Sequence, residues 1–338
     1  MDKPQNLEYL EIAINEFRIK FGDLTEPHRP ALWRYCLRLT GSAWDAEDLV
    51  QETMMKAFAR LAYLGQPINI KAYLFRIASN AWIDQIRKTK IVPEELEIAA
   101  QIPDSNETRP AETREAIEIL VKTLSPRQRV IVLLSDVFDF TSPEIAAMME
   151  TTEGVIKSAL HRARTSLRKA ALERDEPSGK TQTGLNPPLP IIERYMEAFN
   201  KRDPEALLAL LEPDVVNDIV GDWEEHGRDQ MRKFSLVKWV VDKEKKWVEY
   251  GIFEGRPVLF AFRTTDQYER ALYEIITLNI VDNHIVSQKW YFFSVEMIEY
   301  AAKLLGTPAV THSYLDREPV LRKTIKASVP FLSSSPSP

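Results

Sequence analysis

Apolar residues in the first part of the chain recur every three or four positions, the spacing that places them on one face of a helix. The sequence predicts an amphipathic helix up to about Glu26, one carrying Leu32–Leu39, one that Asp45 caps, and one over Lys71–Lys88. Residues 1–90 are therefore expected to form a module built only of helices.

The strongest helical signal lies between Thr123 and Ala171. Within it, Ser142–Pro143 predicts the start of a short helix, because a capping hydroxyl is followed by a residue whose missing N–H is harmless in the first turn. This helix is expected to end near Glu150. Thr152 is expected to cap a longer helix that continues to about Ala171.

The longer helix has an apolar side and a basic side. The apolar residues recur at spacings of four, three and four: Ile156, Leu160, Ala163 and Leu167. The other side carries basic and polar residues, namely Lys157, Ser158, His161, Arg162, Arg164, Arg168 and Lys169. A short helix, a tight turn and a basic helix predict a helix-turn-helix that enters a DNA major groove. The alternative is a basic helix that is only solvated surface.

The pattern changes after residue 190, where helical spacing gives way to alternation. Helices are predicted over residues 191–199, 204–211 and 227–237, and a strand over residues 214–221. Alternating runs around Glu254-Gly255 and Asp282-Asn283 predict two hairpins. A last helix is predicted from Val295 to Leu305. This part of the chain is therefore expected to be an α+β domain.

Charge is distributed unevenly along the 338 residues, whose total is −6. The net charge is +2 before residue 91, −6 over residues 91–121, +3 over residues 122–174 and −5 thereafter. Two basic modules thus flank an acidic, proline-containing connector, and local charge determines phosphate affinity. The predicted order is a helical domain 1–90, a linker 91–121, a helix-turn-helix domain 122–174, a linker 175–190, an α+β domain 191–306 and a tail 307–338.

Composition limits the possible locations and chemistries. Cys36 is the only cysteine, which excludes an intrachain disulfide and a cysteine-based zinc site. No apolar run approaches the ~20 residues that cross a membrane, and the acidic N-terminus is unlike a signal peptide. We expect a cytoplasmic protein without a membrane segment, a metal or a cofactor.

The helix over Lys71–Lys88 has a polar face suited to single-stranded nucleic acid. Arg76, Asn80, Asp84 and Lys88 recur every four residues, with aromatic rings nearby at Tyr73, Phe75 and Trp82. Rings can stack on bases, an amide can read a base edge and cations can hold phosphate. The alternative is that the rings belong to the core.

Together these segments resemble the sigma-70 family of transcription factors, in its small extracytoplasmic-function (ECF) group. DAEDLVQETMMKAF (Asp45–Phe58) resembles the region 2 helix that docks on the β′ clamp helices of RNA polymerase. KAYLFRIASNAWIDQIRK (Lys71–Lys88) resembles the helix that melts and reads the −10 element. LSPRQRVIVLL with PEIAAMMETTEGVIKSALHRARTSLRK resembles region 4, which reads the −35 element and meets the β flap.

The resemblance implies a role for individual residues. The residues expected to face polymerase are Asp45, Glu47, Asp48 and Gln51. Those expected at the −10 strand are Arg76, Asn80, Asp84, Arg87 and Lys88, with Asn80 at a flipped base. Those expected at the −35 duplex are Lys157, Ser158, His161, Arg162 and Arg164. The chain departs from the family pattern at Ala159, where arginine is common.

The last domain resembles the SnoaL-like, cystatin-like cone through IIERYMEAFNKRDPEALLALLEPDV (Ile191–Val215) and HGRDQMRKF (His226–Phe234). The resemblance implies intramolecular contact with the sigma regions and regulation of them. A cone can also enclose an active site, and Asp222 with His226, or Asp218, could supply an acid–base pair. No nucleophile motif or metal spacing supports chemistry, so we expect no enzyme activity.

The sequence thus predicts a multidomain alternative sigma factor whose partners are core RNA polymerase and promoter DNA. One alternative is a one-component helix-turn-helix regulator with a ligand-binding cone. The other is a SnoaL-type enzyme fused to a DNA-binding module. The one-component regulator leaves the module between Asp45 and Lys88 unexplained.

Overall fold

The structure, a computed structural model, describes residues 5–61, 69–91, 117, 119–172 and 187–312. The expectations for most of the acidic connector, most of the second linker and residues 313–338 lie outside these ranges. No helix within the described ranges is both long and apolar enough to cross a lipid bilayer.

The first module is all-helical, as predicted. Its second helix ends at Gly41, whose left-handed backbone (φ 82°) suits a residue without a side chain. The third helix begins two residues before the predicted cap, because Ser42 Oγ accepts the N–H of Asp45 and Asp45 already lies in the first turn. The elements are α1 (Gln5–Thr25), a 3₁₀ turn (Glu26–His28), α2 (Arg29–Thr40), α3 (Ala43–Leu61) and α4 (Ile70–Ile91).

The second module contains the predicted helix-turn-helix. Its short helix is capped by Thr141 and not by Ser142, because Thr141 and Glu144 form a reciprocal capping box that leaves Ser142 as the first helical residue. Thr152 Oγ1 accepts the N–H of Val155 at 3.4 Å, as expected of the second cap. The helices are α5 (Pro126–Asp136), α6 (Ser142–Met148) and α7 (Glu153–Leu172).

The third module is a mixed sheet with helices, which confirms the α+β prediction. Its strand order is β2-β1-β6-β5-β4-β3, and only β1 and β6 run parallel. The sequence pattern did not predict β2, and it predicted one helix over residues 227–237 where the structure has two, separated by Phe234. The elements are α8 (Pro190–Asn200), α9 (Pro204–Ala209), β1 (Leu211–Ile219), β2 (Trp223–His226), α10 (Arg228–Lys233), α11 (Ser235–Val241), β3 (Lys246–Phe253), β4 (Arg256–Arg263), β5 (Ala271–Val281), β6 (His284–Trp290) and α12 (Val295–Leu305).

Both predicted hairpins form around two-residue turns with positive φ. The values are 48° and 77° at Glu254 and Gly255, and 48° and 61° at Asp282 and Asn283. Positive φ at both central positions is the turn geometry whose twist matches that of the flanking strands. The turns therefore fix the register of β3 with β4 and of β5 with β6.

The sheet is buried on both faces. One set of its residues packs with α8 to α11 around Tyr195 and Phe199. Another set, including Phe253 and Phe260, belongs to the same continuous core as the two helical modules. The described part of the chain is therefore held together by one apolar core that runs through all three modules.

The chain beyond α12 remains attached to the sheet for a few residues. Leu272 N–H donates to Pro308 O at 2.8 Å, and Val310 N–H donates to Leu272 O at 2.9 Å. The ring of His312 stacks on Phe292 with centroids 5.0 Å apart. The tail that the sequence suggested from residue 307 is thus paired with β5 as far as it is described.

Glu274 on β5 gives the fold a testable pH dependence. Burial raises its pKa from an ordinary 4.5 to about 8, against the opposing effect of Lys246. The folded chain therefore binds more protons than the unfolded chain between those values. The free energy of unfolding should fall as pH rises through this window, by at most ~1.4 kcal/mol per pH unit from this group.

Replacing Glu274 with Gln should flatten that decline and leave the variant more stable than the parent above pH 8. Urea denaturation at several pH values between 5 and 9 measures this. Glu269→Gln, at an exposed position of the same domain, is the control and should follow the parent curve. Parallel curves for the parent and Glu274→Gln would contradict the expectation.

Candidate nucleic-acid interface

The outer side of α7 is exposed and basic, as the sequence predicted. All five residues assigned to duplex DNA there are exposed: Lys157, Ser158, His161, Arg162 and Arg164. Ala159, where the chain departs from the family pattern, is only 7% exposed and belongs to the core. The residue that departs from the family pattern is therefore buried and does not belong to the exposed basic face.

A cleft of about 370 Å³ lies along this side of α7. It is bounded by the end of α5, the start of α6 and the middle of α7, and most of its lining is cationic or hydroxylic. The lining residues are Ser135, Ser142, Lys157, Leu160, His161, Arg164, Thr165 and Arg168. Three cations and three hydroxyls in one cleft can hold anionic oxygen atoms.

Two cations on this face are paired with acids in different ways. Lys157 contacts Glu153 at 2.6 Å one turn earlier, and both side chains are exposed. Arg164 instead meets Asp136, the last residue of α5, through two parallel hydrogen bonds of 3.0 and 2.5 Å. The hydrogen bond from Arg164 holds the pKa of Asp136 below its usual range. The sequence pattern did not predict a role for Asp136, because 28 positions separate it from Arg164.

The polar face of α4 is exposed, and its aromatic neighbours are not. The five residues assigned to the −10 strand are all exposed: Arg76, Asn80, Asp84, Arg87 and Lys88. Phe75 and Trp82 are buried, so for these two rings the core interpretation is right. A cleft of about 570 Å³ separates Asn80, Asp84 and Arg87 from the start of α5 and the turn after α6.

Three cations form polar contacts between the helices α2 and α4 and the helix-turn-helix module. Arg76 Nη2 donates to Glu150 Oε1 at 2.8 Å, in the turn before α7. Lys71 Nζ donates to Phe138 O at 3.2 Å. Arg129, on α5, is the most buried of the three cations.

Arg129 leaves α5 and reaches the first module. Its Nη1 donates to Leu39 O at 2.6 Å, near the end of α2, and its Nη2 donates to Val121 O at 2.8 Å. Its guanidinium lies 5.1 Å from the centre of a Trp82 ring. Burial lowers the pKa of Arg129 to about 10, still well above neutral pH, so the cation is retained. We call these contacts, with Arg76–Glu150, the module clasp.

The start of α3 has a buried flank and an exposed flank. Glu47 is fully buried and accepts hydrogen bonds from Arg29 at 3.1 Å, Gln51 at 2.7 Å and Ser294 at 2.8 Å. Arg29 also donates to Glu296 at 2.9 Å. Of the residues assigned to polymerase, Glu47 therefore lies inside an intramolecular ion cluster.

The α+β domain of residues 190–305, called the cone below, packs directly on this helix. Trp44 donates its indole N–H to Phe253 O at 3.0 Å, and Glu254 accepts the N–H of Ala43 at 2.8 Å. Gly221 (φ 84°) lies so close to Gln51 that a side chain there would meet its amide oxygen at 2.9 Å.

Asp45 and Asp48 stay exposed at the edge of this contact. Arg256 approaches Asp45 to 3.9 Å. Burial raises the pKa of Asp48, and the positive charge of Lys289 opposes that rise. The expected intramolecular contact of the cone is present, and it covers half of the residues assigned to polymerase.

Asp222 and His226 are not brought together. The carboxylate of Asp222 contacts Arg18 of α1 at 3.3 Å, with its side chain 4% exposed. His226 lies at the exposed end of β2 beside Glu224. Asp218 contacts Lys289 at 3.6 Å. An acid–base pair in a shared pocket is therefore not present among these residues.

Comparison with known proteins identifies the two helical modules. Residues 24–91 match the family described as Sigma-70 region 2, and residues 114–167 match Sigma-70, region 4. The ECF RNA polymerase sigma factor SigL of Mycobacterium tuberculosis is 32% identical over 43% of this chain and 85% of its own length.

Two further proteins are similar over more of the chain. SigG of Mycobacterium tuberculosis, also an ECF RNA polymerase sigma factor, is 29% identical over 60% of this chain. The match spans 62% of the length of SigG. The crystal structure of SigJ from Mycobacterium tuberculosis, an extracytoplasmic function sigma factor, covers 84% of this chain and 98% of its own, at 20% identity and a TM-score of 0.32.

The contribution of Arg129 to stability can be measured by replacing it with Met. The variant keeps a long side chain but leaves the carbonyls of Leu39 and Val121 without this donor, which should lower the free energy of unfolding by ~2 kcal/mol. Chemical denaturation measures the change. Arg127→Met, two residues earlier and exposed, should change it by less than ~0.5 kcal/mol. Equal effects of the two substitutions would contradict a structural role for Arg129.

Proposed function

Because the chain belongs to the family of ECF RNA polymerase sigma factors, we propose that it binds core RNA polymerase and directs it to promoters. The observation that carries this proposal is the pair of exposed polar faces, on α4 and on α7, held by two separate helical modules. Two faces on two modules suit one DNA molecule contacted at two places. We expect the protein to act in the cytoplasm, with core RNA polymerase and DNA.

The two faces would bind different promoter elements. The basic side of α7 would bind the −35 duplex, where cations hold phosphates and the first turns of the helix reach base edges. The polar side of α4 would hold the opened −10 strand, with Asn80 at an extruded base. Polymerase itself makes the RNA, so the chain needs no catalytic residues in this role.

The described arrangement corresponds to a resting form. Elements near −35 and −10 lie about 25 base pairs apart, on the order of 80 Å at ~3.4 Å per base pair. In the structure Arg76 on the −10 face touches Glu150, in the turn that precedes the −35 helix, at 2.8 Å. Reading both elements would therefore require the module clasp to open.

The cone domain would act as a second restraint, on the polymerase side. It covers the flank of α3 that carries Glu47 and Gln51, and it sets Arg256 near Asp45. A polymerase surface that binds Asp45 on α3 therefore has to compete with Arg256. We therefore propose that the cone regulates core binding by covering α3, the relation expected between a sigma factor and a built-in inhibitor.

Transcription from purified components tests the function. The full-length chain with core RNA polymerase, and no other sigma factor, should produce transcripts from promoters selected by genome-wide mapping of its binding sites. Asn80→Ala should reduce open complexes by about tenfold, a typical value for one base contact, while Gln85→Ala, exposed on the same helix, should stay within about twofold. Transcripts that appear only when a housekeeping sigma factor is added would instead favour a one-component regulator.

Charge reversal at the cone surface tests the regulation. Arg256→Glu with Lys289→Glu places like charges beside Asp45 and Asp48, which should weaken the cone contact and raise the fraction of chains able to bind. We expect core polymerase to bind this double variant about fivefold more tightly, measured by fluorescence anisotropy. Arg194→Glu, exposed on α8, is the charge control. Unchanged or weaker binding of the double variant would contradict inhibition by the cone.

A further inference from the structure

Among the cations that line the α7 cleft, the described part of the chain pairs Arg164 with an acid of another helix. Its Nε donates to Asp136 Oδ2 at 3.0 Å and its Nη2 donates to Asp136 Oδ1 at 2.5 Å, while Ser135 Oγ lies 3.5 Å from Nη2. Two parallel hydrogen bonds hold the plane of a guanidinium as well as its position. The side chain of Arg164 is nevertheless 46% exposed.

The pairing leaves part of the guanidinium available. Asp136 engages Nε and Nη2, and no hydrogen bond to Nη1 is formed within the described part of the chain. The cleft beside it is lined by Ser142 and Arg168, among others. Among the described residues, Asp136 is the acid that contacts Arg164. Arg164 therefore offers donors in a fixed direction toward an anion in this cleft.

The position of Arg164 along α7 favours a phosphate over a base. Arg164 is eleven residues beyond Glu153, which at 1.5 Å per residue places it ~16 Å from the start of the helix. In helix-turn-helix proteins the N-terminal residues of the second helix contact base edges. Lys157 and Ser158 occupy that part of α7. Arg164 lies two turns further on, where a helix that docks in this way would leave the groove and approach the DNA backbone.

The negative charge of Asp136 is by itself unfavourable for DNA binding, because it lies beside a surface that meets phosphates. The pairing can still favour DNA binding if the fixed orientation of Arg164 strengthens binding more than the negative charge of Asp136 weakens it. A side chain that is already oriented loses less conformational entropy when it binds. Asp136 lies at the −35 face, so this role for it rests on the proposed function.

We propose that Asp136 is a positioning residue for DNA binding, and that it holds Arg164 in the orientation from which Arg164 contacts a backbone phosphate. The contact is independent of base sequence. It can therefore be measured on any duplex, without knowledge of the promoter and without polymerase.

The test uses the full-length chain and a fluorescently labelled short duplex of random sequence, with binding followed by anisotropy over a range of salt concentrations. Asp136→Asn removes a negative charge near DNA, so an effect of charge alone would tighten binding. The proposal gives the opposite sign: we expect binding about threefold to tenfold weaker. Arg164→Ala should also weaken binding and reduce the slope against log salt concentration by about one.

The combination of the two substitutions separates positioning from a general structural effect. In the Arg164→Ala background, Asp136→Asn should no longer weaken binding and should tighten it slightly, because only its charge then remains. Glu153→Gln is the matched control, since Glu153 also pairs with a cation of this face, Lys157, but through a single exposed contact. It should leave binding unchanged or tighten it.

Two results would overturn the proposal. Tighter binding of Asp136→Asn, as for Glu153→Gln, would show that Asp136 contributes only charge. Equal weakening with and without Arg164 would show that Asp136 supports the fold and does not position Arg164. If the polymerase experiment fails but Asp136→Asn weakens DNA binding as expected, the sigma-factor function is rejected and the positioning role of Asp136 in DNA binding stands. If the polymerase experiment succeeds but Asp136→Asn does not weaken DNA binding, only the positioning role of Asp136 is rejected.

Discussion

The buried cluster of Arg29, Glu47 and Glu296 is the constraint on which the described arrangement depends. Two carboxylates share one guanidinium, and Ser294 and Gln51 supply further donors to Glu47. Burial acts to lower the pKa of Arg29, but the two carboxylates outweigh it and hold that pKa above its ordinary value. A buried ion cluster is weak evidence for net stability, but separating its members would leave a buried charge unpaired. The cluster thus links the cone, through Ser294 and Glu296, to α2 and α3.

Much of the fold could be predicted from local sequence, because local chemistry determines it. Glu254-Gly255 and Asp282-Asn283 adopt the positive φ values that their hairpins need, and the apolar stripe of α7 faces the core. The errors are also local: Thr141 takes the cap from Ser142 because Glu144 is three residues away and completes the box. Sequence spacing shows which residues can form a cap but not which of two neighbouring hydroxyls will do so.

The relation between the modules could not be predicted, because its contacts join residues far apart in the chain. Arg29 and Glu296 are separated by 267 positions, and neither lies in a motif. One signal was available: Val258–Phe262 of β4 is an unbroken apolar run and all five residues are buried. Such a run is typical of a strand covered on both faces, which here means helices of the cone on one side and the sigma modules on the other. The burial of Glu47 also results from this contact between domains. Its position on α3 alone suggests an exposed acid.

The sheet face that carries Phe253 and Phe260 has a consequence for the reversibility of activation. This face is part of one continuous core with the helical modules, so moving the cone away from α3 places aromatic surface in water. Hydration of that surface opposes separation in proportion to its area. Under the proposed regulation, a chain whose cone has moved away from α3 would therefore return to the described arrangement once the molecule that occupies α3 leaves. Its activity would then follow the local supply of that molecule, without a dedicated enzyme to end it.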